Sequence, residues 1–246
     1  MSKLAGKKAL VTGASRGIGA AIVRRLAAEG ADIAFTYQRS AETAQALARE
    51  IEATGRKVIA LRADSADPAA VQHSVSATVE QLGGLDILVN NAGIARGGPL
   101  EEMTLEDIDA LLDVNIRAVV LASRAAIPHL PRGGRIINIG SNLAERVVHG
   151  GVSVYSMTKS ALISLTKGLA RDLGPRGIAV TLVHPGSTDT DMNPAHGPRA
   201  EKQRELIALG HYGKPEDIAA AVAFLAGPDA AHVTGTSITV DGGQNA

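Results

Sequence analysis

The chain has 246 residues, with 25 Lys and Arg against 25 Asp and Glu, no Cys, no Trp, two Phe and three Tyr. A formal charge of zero argues against a non-specific nucleic-acid binder, which needs a net basic face, and five aromatic rings cannot furnish a row of base-stacking platforms. The absence of Cys excludes a disulfide scaffold, thiolate metal sites and a thiol nucleophile.

No long apolar run precedes a cleavage site near residue 1, and nowhere do about 18 apolar residues follow one another. Neither export nor a membrane partner is therefore expected, and the expected location is cytoplasmic. In chain order, short apolar runs alternate with helical patterns. KKALVTG (7–13) is followed by a stripe of Ile18, Ile22, Val23 and Leu26 within 18–30, stopped by Gly30. ADIAFTY (31–37) precedes a helix over 41–54, and KVIALRAD (57–64) one over 69–82 opened by Asp67-Pro68. LDILVNNAG (85–93) leads to Thr104 and Asp107, spaced as a capping box before one long helix, LEDIDALLDVNIRAVVLASRAAI. GRIINIGS (134–141) precedes a helix over 152–173, ended by Gly174-Pro175. IAVTLVHPG (178–186) and SITVDGG (237–243) flank the last helix, which runs from Lys214-Pro215 to Gly227-Pro228.

Several runs are apolar throughout, which suits strands buried on both faces. The pattern predicts an α/β protein, a single-domain Rossmann fold over 1–246: a doubly wound, seven-stranded parallel sheet with helices on both faces. Residues 187–213 break the rhythm. They are polar, contain Pro194 and Pro198 and a short helical pattern at 199–209, and are expected to be a substrate lid.

The turn Thr12-Gly13-Ala14-Ser15-Arg16-Gly17-Ile18-Gly19 joins the first strand to the first helix. Gly13 permits a tight turn, Gly17 lets backbone approach a pyrophosphate, and Gly19 allows close helix–sheet packing. The helix start then offers N–H groups to phosphate, with Ser15 and Ile18 beside them. The same letters match the nucleophile-elbow pattern G-x-S-x-G, which would make Ser15 a hydrolase nucleophile with His211 or His232 as its base. An elbow normally follows several strands, so Ser15 is read as a phosphate or turn ligand.

An NAD site wants an acid about 20 residues past the glycines, on the ribose 2′-OH. Here Tyr37-Gln38-Arg39-Ser40 holds none, and Arg16 and Arg39 are available to a 2′-phosphate. NADP (NADPH) is favoured over NAD. Strand ends elsewhere supply Asp64 and Ser65, Asn91, Ala92 and Gly93, and Pro185 with Gly186, all on the rim where such sheets bind ligands.

Tyr155 and Lys159 stand four apart, on one helix face. Lowering a phenol from about 10 to about 7 takes roughly 4 kcal/mol, which a nearby ammonium and a positive nicotinamide ring can supply. Tyr155 could then exchange a proton with a carbonyl oxygen that Ser141, at the fifth strand's end, also hydrogen-bonds. The seven His show no metal-ligand spacing, so no metal is expected.

These residues carry a resemblance. TGASRGIG (12–19), Asp64, NNAG (90–93), Asn115, Ser141, YSMTK (155–159), PGSTDT (185–190) and TGTSITVDGG (234–243) follow the order and spacing of the short-chain dehydrogenase/reductase family. The chain is similar to its 3-oxoacyl-[acyl-carrier-protein] reductase group. The resemblance implies a tetrad of Asn115, Ser141, Tyr155 and Lys159, with Asn115 helping to hold a relay water and Lys159 binding the nicotinamide ribose. It implies that Asp64 binds the adenine amine, that Asn91 to Gly93 line the adenine ribose, and that Thr188 and Thr190 contact the carboxamide and phosphates. It also implies a small-molecule carbonyl or alcohol substrate and a homotetramer, or a homodimer. The polar stretch 188–199 departs from the acyl-carrier-protein reductases. It resembles a subgroup associated with biofilm dispersal and proposed to bind cyclic di-GMP, which implies a nucleotide-binding regulatory protein as the alternative.

Overall fold

The computed structural model describes residues 2–246. All seven apolar runs are strands: β1 (Lys8–Val11), β2 (Asp32–Tyr37), β3 (Val58–Arg62), β4 (Ile87–Asn90), β5 (Arg135–Ile139), β6 (Ala179–Pro185) and β7 (Thr236–Val240). They pair in parallel in the order β3-β2-β1-β4-β5-β6-β7. The chain travels outward from β1 to β3, then returns to lay β4 against the other side of β1. That reversal opens a crevice beyond the carboxyl ends of β1 and β4.

Side-chain alternation assigns each strand to two cores. Ala9, Val11, Ile33 and Phe35 enter one, and Leu10 and Ala34 the other. With both faces covered, the period of two is invisible as polarity, and the strands read as unbroken apolar runs. The first core is closed by α1 (Gly17–Ala28) through Ile22 and Leu26, and by α8 (Pro215–Ala226) through Val222 and Leu225. α2 (Ala41–Glu52) adds Leu47 and Ile51 at its edge. The second core is closed by α3 (Pro68–Leu82), α5 (Ala118–Ala126) and α6 (Ser153–Leu173).

Local signals set the helix starts. Asp67 accepts from the Ala69 N–H at 2.8 Å, opening α3. Thr104 Oγ1 accepts from the Asp107 N–H at 3.1 Å, opening α4 (Leu105–Leu112). The long helix expected from residue 105 runs unbroken to residue 126, with one local change of hydrogen-bond register. A π-turn at Asp113–Arg117 joins α4 to α5 and buries Val114 and Asn115. Side-chain periodicity hardly registers one inserted residue, so the sequence reads straight through it.

A polar row crosses the second core. Asn90 Nδ2 donates to Ser123 Oγ at 3.1 Å and to Asn138 Oδ1 at 2.9 Å, and Asn138 Nδ2 donates to Thr166 Oγ1 at 3.0 Å. It links α5 to α6 through two strands.

Residues 187–213 leave the end of β6 and return. Their two ends are stapled: Gly213 N–H donates to Ser187 O at 3.0 Å, and Asp189 N–H to Gly213 O at 2.9 Å. The short helix α7 (Ala200–Leu206) lies within, ending three residues before the expected 209. No helix among the described residues is long and apolar enough to cross a membrane.

Candidate active site

The loop between β1 and α1 is sewn to both neighbouring strands. Thr12 Oγ1 accepts from the Asn91 and Ala92 N–H groups, each at 3.0 Å. The Asn91 amide answers, donating to Thr12 O and Gly13 O at 2.9 Å each. From the β2 side, Thr36 Oγ1 accepts from Gly13 N–H at 2.8 Å and Thr36 O from Ala14 N–H at 2.8 Å. The loop is therefore fixed by the protein's own bonds.

This close approach dictates the glycines. Gly13 has φ +64°, and a Cβ there would lie 2.8 Å from Ala92 Cα. A Cβ on Gly19 would lie 2.6 Å from both Ala14 Cα and Asn91 Nδ2. Arg16 is the N-cap of α1, and no side chain caps the helix there. Its opening N–H groups and positive dipole end thus face the crevice ready for an anion. Ser15, Gly17 and Ile18 line this end, half-buried. Among the described residues no non-glycine has a positive φ, so Ser15 does not sit on a strained elbow, and His211 is turned to Tyr212 O at 3.0 Å.

The rim around the loop carries the other expected cofactor residues. Tyr37 ends β2 and Arg39 and Ser40 follow it, with Arg39 exposed and Ser40 at the start of α2. Asp64 and Ser65 follow β3; Asp64 Oδ1 accepts from Ala66 N–H at 2.9 Å. Arg16 Nη1 pairs with Asp191 Oδ2 at 3.1 Å, both side chains largely exposed. Thr190 leans over Gly17. Pro185 is buried at the end of β6, with Gly186 beyond it. Thr188 is buried as well, and its hydroxyl donates to Gly186 O at 3.0 Å, so any ligand contact there falls to its backbone.

Beside this rim the second cluster assembles. Ser141 follows β5, Tyr155 and Lys159 lie in the first turns of α6, and Asn115 sits in the π-turn. Lys159 is 4% exposed and donates from Nζ to Ile139 O at 3.1 Å. Its Nζ lies 6.0 Å from the Tyr155 ring centre. Gly93 stands between: a Cβ there would be 3.2 Å from Lys159 Nζ and 3.4 Å from Asn115 Oδ1. All four tetrad positions thus converge on the crevice that the glycine loop borders.

Comparison with known proteins identifies the family. Residues 13–245 match the family described as enoyl-(acyl carrier protein) reductase. A short-chain dehydrogenase from Burkholderia cenocepacia, solved in complex with NADP, superposes with a TM-score of 0.98 at 61% identity, covering 99% of this chain and 100% of that one. The chain belongs to the short-chain dehydrogenase/reductase family. Two further relatives are of this kind: the cyclic-di-GMP-binding biofilm dispersal mediator protein of Escherichia coli, 46% identical over 98% of each chain, and a 3-oxoacyl-[acyl-carrier-protein] reductase of Synechocystis, 40% identical over 99% of each.

Two features of the site in this short-chain dehydrogenase/reductase add detail to the expected tetrad. The Asn115 side chain is engaged in the protein's own hydrogen bonds. Its Oδ1 accepts from Ile94 N–H at 2.9 Å, and its Nδ2 donates to Ile94 O at 3.0 Å and Thr158 Oγ1 at 3.1 Å. It fastens the loop after β4 to α6, because the π-turn swings it inward between them. Burial shifts both Tyr155 and Lys159. Burial pushes the phenol above the ordinary tyrosine value, and a hydrogen bond with Ser141 only partly offsets this. The same burial lowers Lys159 from 10.5 to about 8. Burial thus disfavours the phenolate, and the expected acidification calls on the ammonium and a positive nicotinamide ring together.

Four contributors escaped the sequence reading. Thr12 opens the glycine turn without any role assigned to its hydroxyl, and Thr36 looks like an ordinary strand residue, although each stands at the crevice end of its strand. Thr158 is fully buried, accepting from Asn115 and donating to Tyr155 O at 2.7 Å. His184 was one of seven scattered histidines, yet it lies buried directly behind Ser141.

Proposed function

We propose that the chain is an NADPH-dependent carbonyl reductase or secondary-alcohol dehydrogenase, acting on ketone or 3-oxoacyl-type substrates, with Asn115, Ser141, Tyr155 and Lys159 as its site. The observation that carries this reading is the convergence of Ser141, Tyr155 and a buried Lys159 on the crevice bordered by the glycine loop.

The residues fit the cofactor: an uncapped helix start, two glycines pressed so close that a Cβ would clash, and no acid on the 37–40 rim. Gly13, Ser15, Gly17, Ile18 and Gly19 would cradle the pyrophosphate, and Arg16 and Arg39, with Ser40, the 2′-phosphate. Tyr37, Asp64, Ser65, Asn91, Ala92 and Gly93 would border the adenosine. Pro185, Gly186, Thr188 and Thr190 would border the nicotinamide half. When bound, NADPH supplies the hydride and, once oxidised, a positive ring beside the phenol. Ser141 and Tyr155 hydroxyls hydrogen-bond the substrate's carbonyl oxygen. As the carbonyl carbon is reduced, the Tyr155 proton passes to that oxygen and leaves an alcohol and a phenolate. Lys159, near neutrality in its affinity for a proton, is suited to resupply it.

Within this reading residues 187–213 act as a substrate lid on the single domain, and the protein is a cytoplasmic homotetramer. The open edge of β7 and the exposed Leu105, Val120 and Phe224 support association. Consumption of reduced nicotinamide with a panel of ketones and β-keto esters tests the activity, with Tyr155→Phe as control. Equal rates for both would reject the site. NADPH should saturate at lower concentration than NADH. A second reading, a nucleotide-binding regulator, rests on the 46% identity to the Escherichia coli protein and is tested by calorimetric titration with cyclic di-GMP.

A further inference from the structure

Ser141 must present its hydroxyl to the substrate oxygen, yet it lies beyond the last ladder pair of β5. Three bonds hold the strand end. Ile139 O accepts from Lys159, Gly140 N–H donates to Val183 O at 2.7 Å, and Ser141 N–H donates to His184 Nδ1 at 3.2 Å. The third bond goes to a side chain. His184 is 0% exposed, and a Cβ on Gly140 would come within 2.5 Å of Nδ1, so the ring packs directly against this backbone.

Resting on the reductase reading above, we propose that His184 is the positioning residue for Ser141: its neutral imidazole, protonated on Nε2, accepts the Ser141 N–H at Nδ1 and thereby fixes the hydroxyl. The geometry leaves no other tautomer, because a proton on Nδ1 would face the Ser141 N–H donor. Nε2 has no hydrogen-bond partner, and Glu145 Oε1 lies 3.9 Å away on the loop after β5. Two charged groups face the ring. Burial, the largest influence, lowers the His184 pKa from 6.5 and Lys159, from α6, acts the same way, while Glu145 and the Ser141 backbone favour the imidazolium. At neutral pH the acceptor is intact. As pH falls, protonation of Nδ1 turns it into a donor, the bond to Ser141 is lost, and turnover falls with it.

Nitrogen-15 shifts of the histidine rings, with His184 assigned by its disappearance in His184→Gln, give a test independent of turnover. The expected result is an Nε2–H tautomer at neutral pH that titrates below the free-histidine value of about 6.5. An Nδ1–H tautomer, or titration at or above that value, overturns the proposal. Kinetics then separate positioning from mere packing. His184→Ala should lose about tenfold or more in kcat, the worth of a buried hydrogen bond with its orphaned donor, with the KM for NADPH unchanged. His184→Gln can offer a carbonyl oxygen that does not titrate. It should restore most of the neutral-pH rate and remove the acid limb of the kcat profile. Glu145→Gln should move that limb to lower pH. An acid limb unchanged in His184→Gln, or a wild-type kcat in His184→Ala, also overturns it. No turnover by the wild-type protein would instead defeat the reductase reading, while the tautomer still decides the hydrogen bond.

Discussion

Lys159→Met isolates the cost of burying one ammonium. In the folded protein Lys159 binds its proton with a pKa of about 8, against 10.5 when free of the fold. Methionine keeps the length and removes the charge. Between those values the unfolded wild-type chain holds the extra proton, so its stability rises with pH; below about 8 both states are protonated and the penalty is constant. At ~1.4 kcal/mol per tenfold, the interval is worth about 3 kcal/mol. The bond from Nζ to Ile139 O shifts the comparison by an offset that does not alter this window's sign. Urea unfolding of the two cofactor-free proteins at intervals from pH 7 to 10 measures it. The wild type should gain on the variant by most of that ~3 kcal/mol across the range, while the variant has lost catalysis. A difference that stays flat, or declines with pH, would refute the account of Lys159 as a desolvated ammonium.

Arg39→Ala should weaken NADPH by about tenfold or more and leave NADH nearly unchanged, since a charge-assisted bond to a 2′-phosphate is worth about 1.5–3 kcal/mol; fluorescence titration of both nucleotides reads the split. Gly19→Ala forces a Cβ to 2.6 Å from Ala14 Cα. Displacing that loop should cost about 1–3 kcal/mol in denaturant unfolding and sharply weaken NADPH binding. Asn115→Leu orphans both the N–H and the carbonyl of Ile94, and should lower stability by about 2 kcal/mol or more and kcat beyond what unfolding explains.

The sheet was legible because both-face burial writes strands as apolar runs and glycines as breaks. Ser141, Tyr155 and Lys159 were legible for the same reason: strand ends and helix spacing can be counted. What escaped depends on direction. Counting places Asn115 on a helix, but only the π-turn, a main-chain event with no residue signature, points its amide at Ile94. Counting lists His184 among seven histidines, but its meaning comes from Ser141, 43 positions away along the chain, whose backbone it holds. The upward push of burial on Tyr155 was not legible, because sequence supplies charges and omits the dielectric around them.

The amide row from Ser123 through Asn90 and Asn138 to Thr166 has a consequence for how the molecule finds its alignment. Apolar side chains tolerate sliding, since one greasy contact replaces another. An amide dragged one helical turn from its partner would be stranded in a dry interior at a cost of about 1–3 kcal/mol. The row therefore works as an index mark between the central strands and α5 and α6. α6 also carries Tyr155 and Lys159, so the same mark that admits a single seating of this helix sets the height at which its phenol and amine meet the crevice.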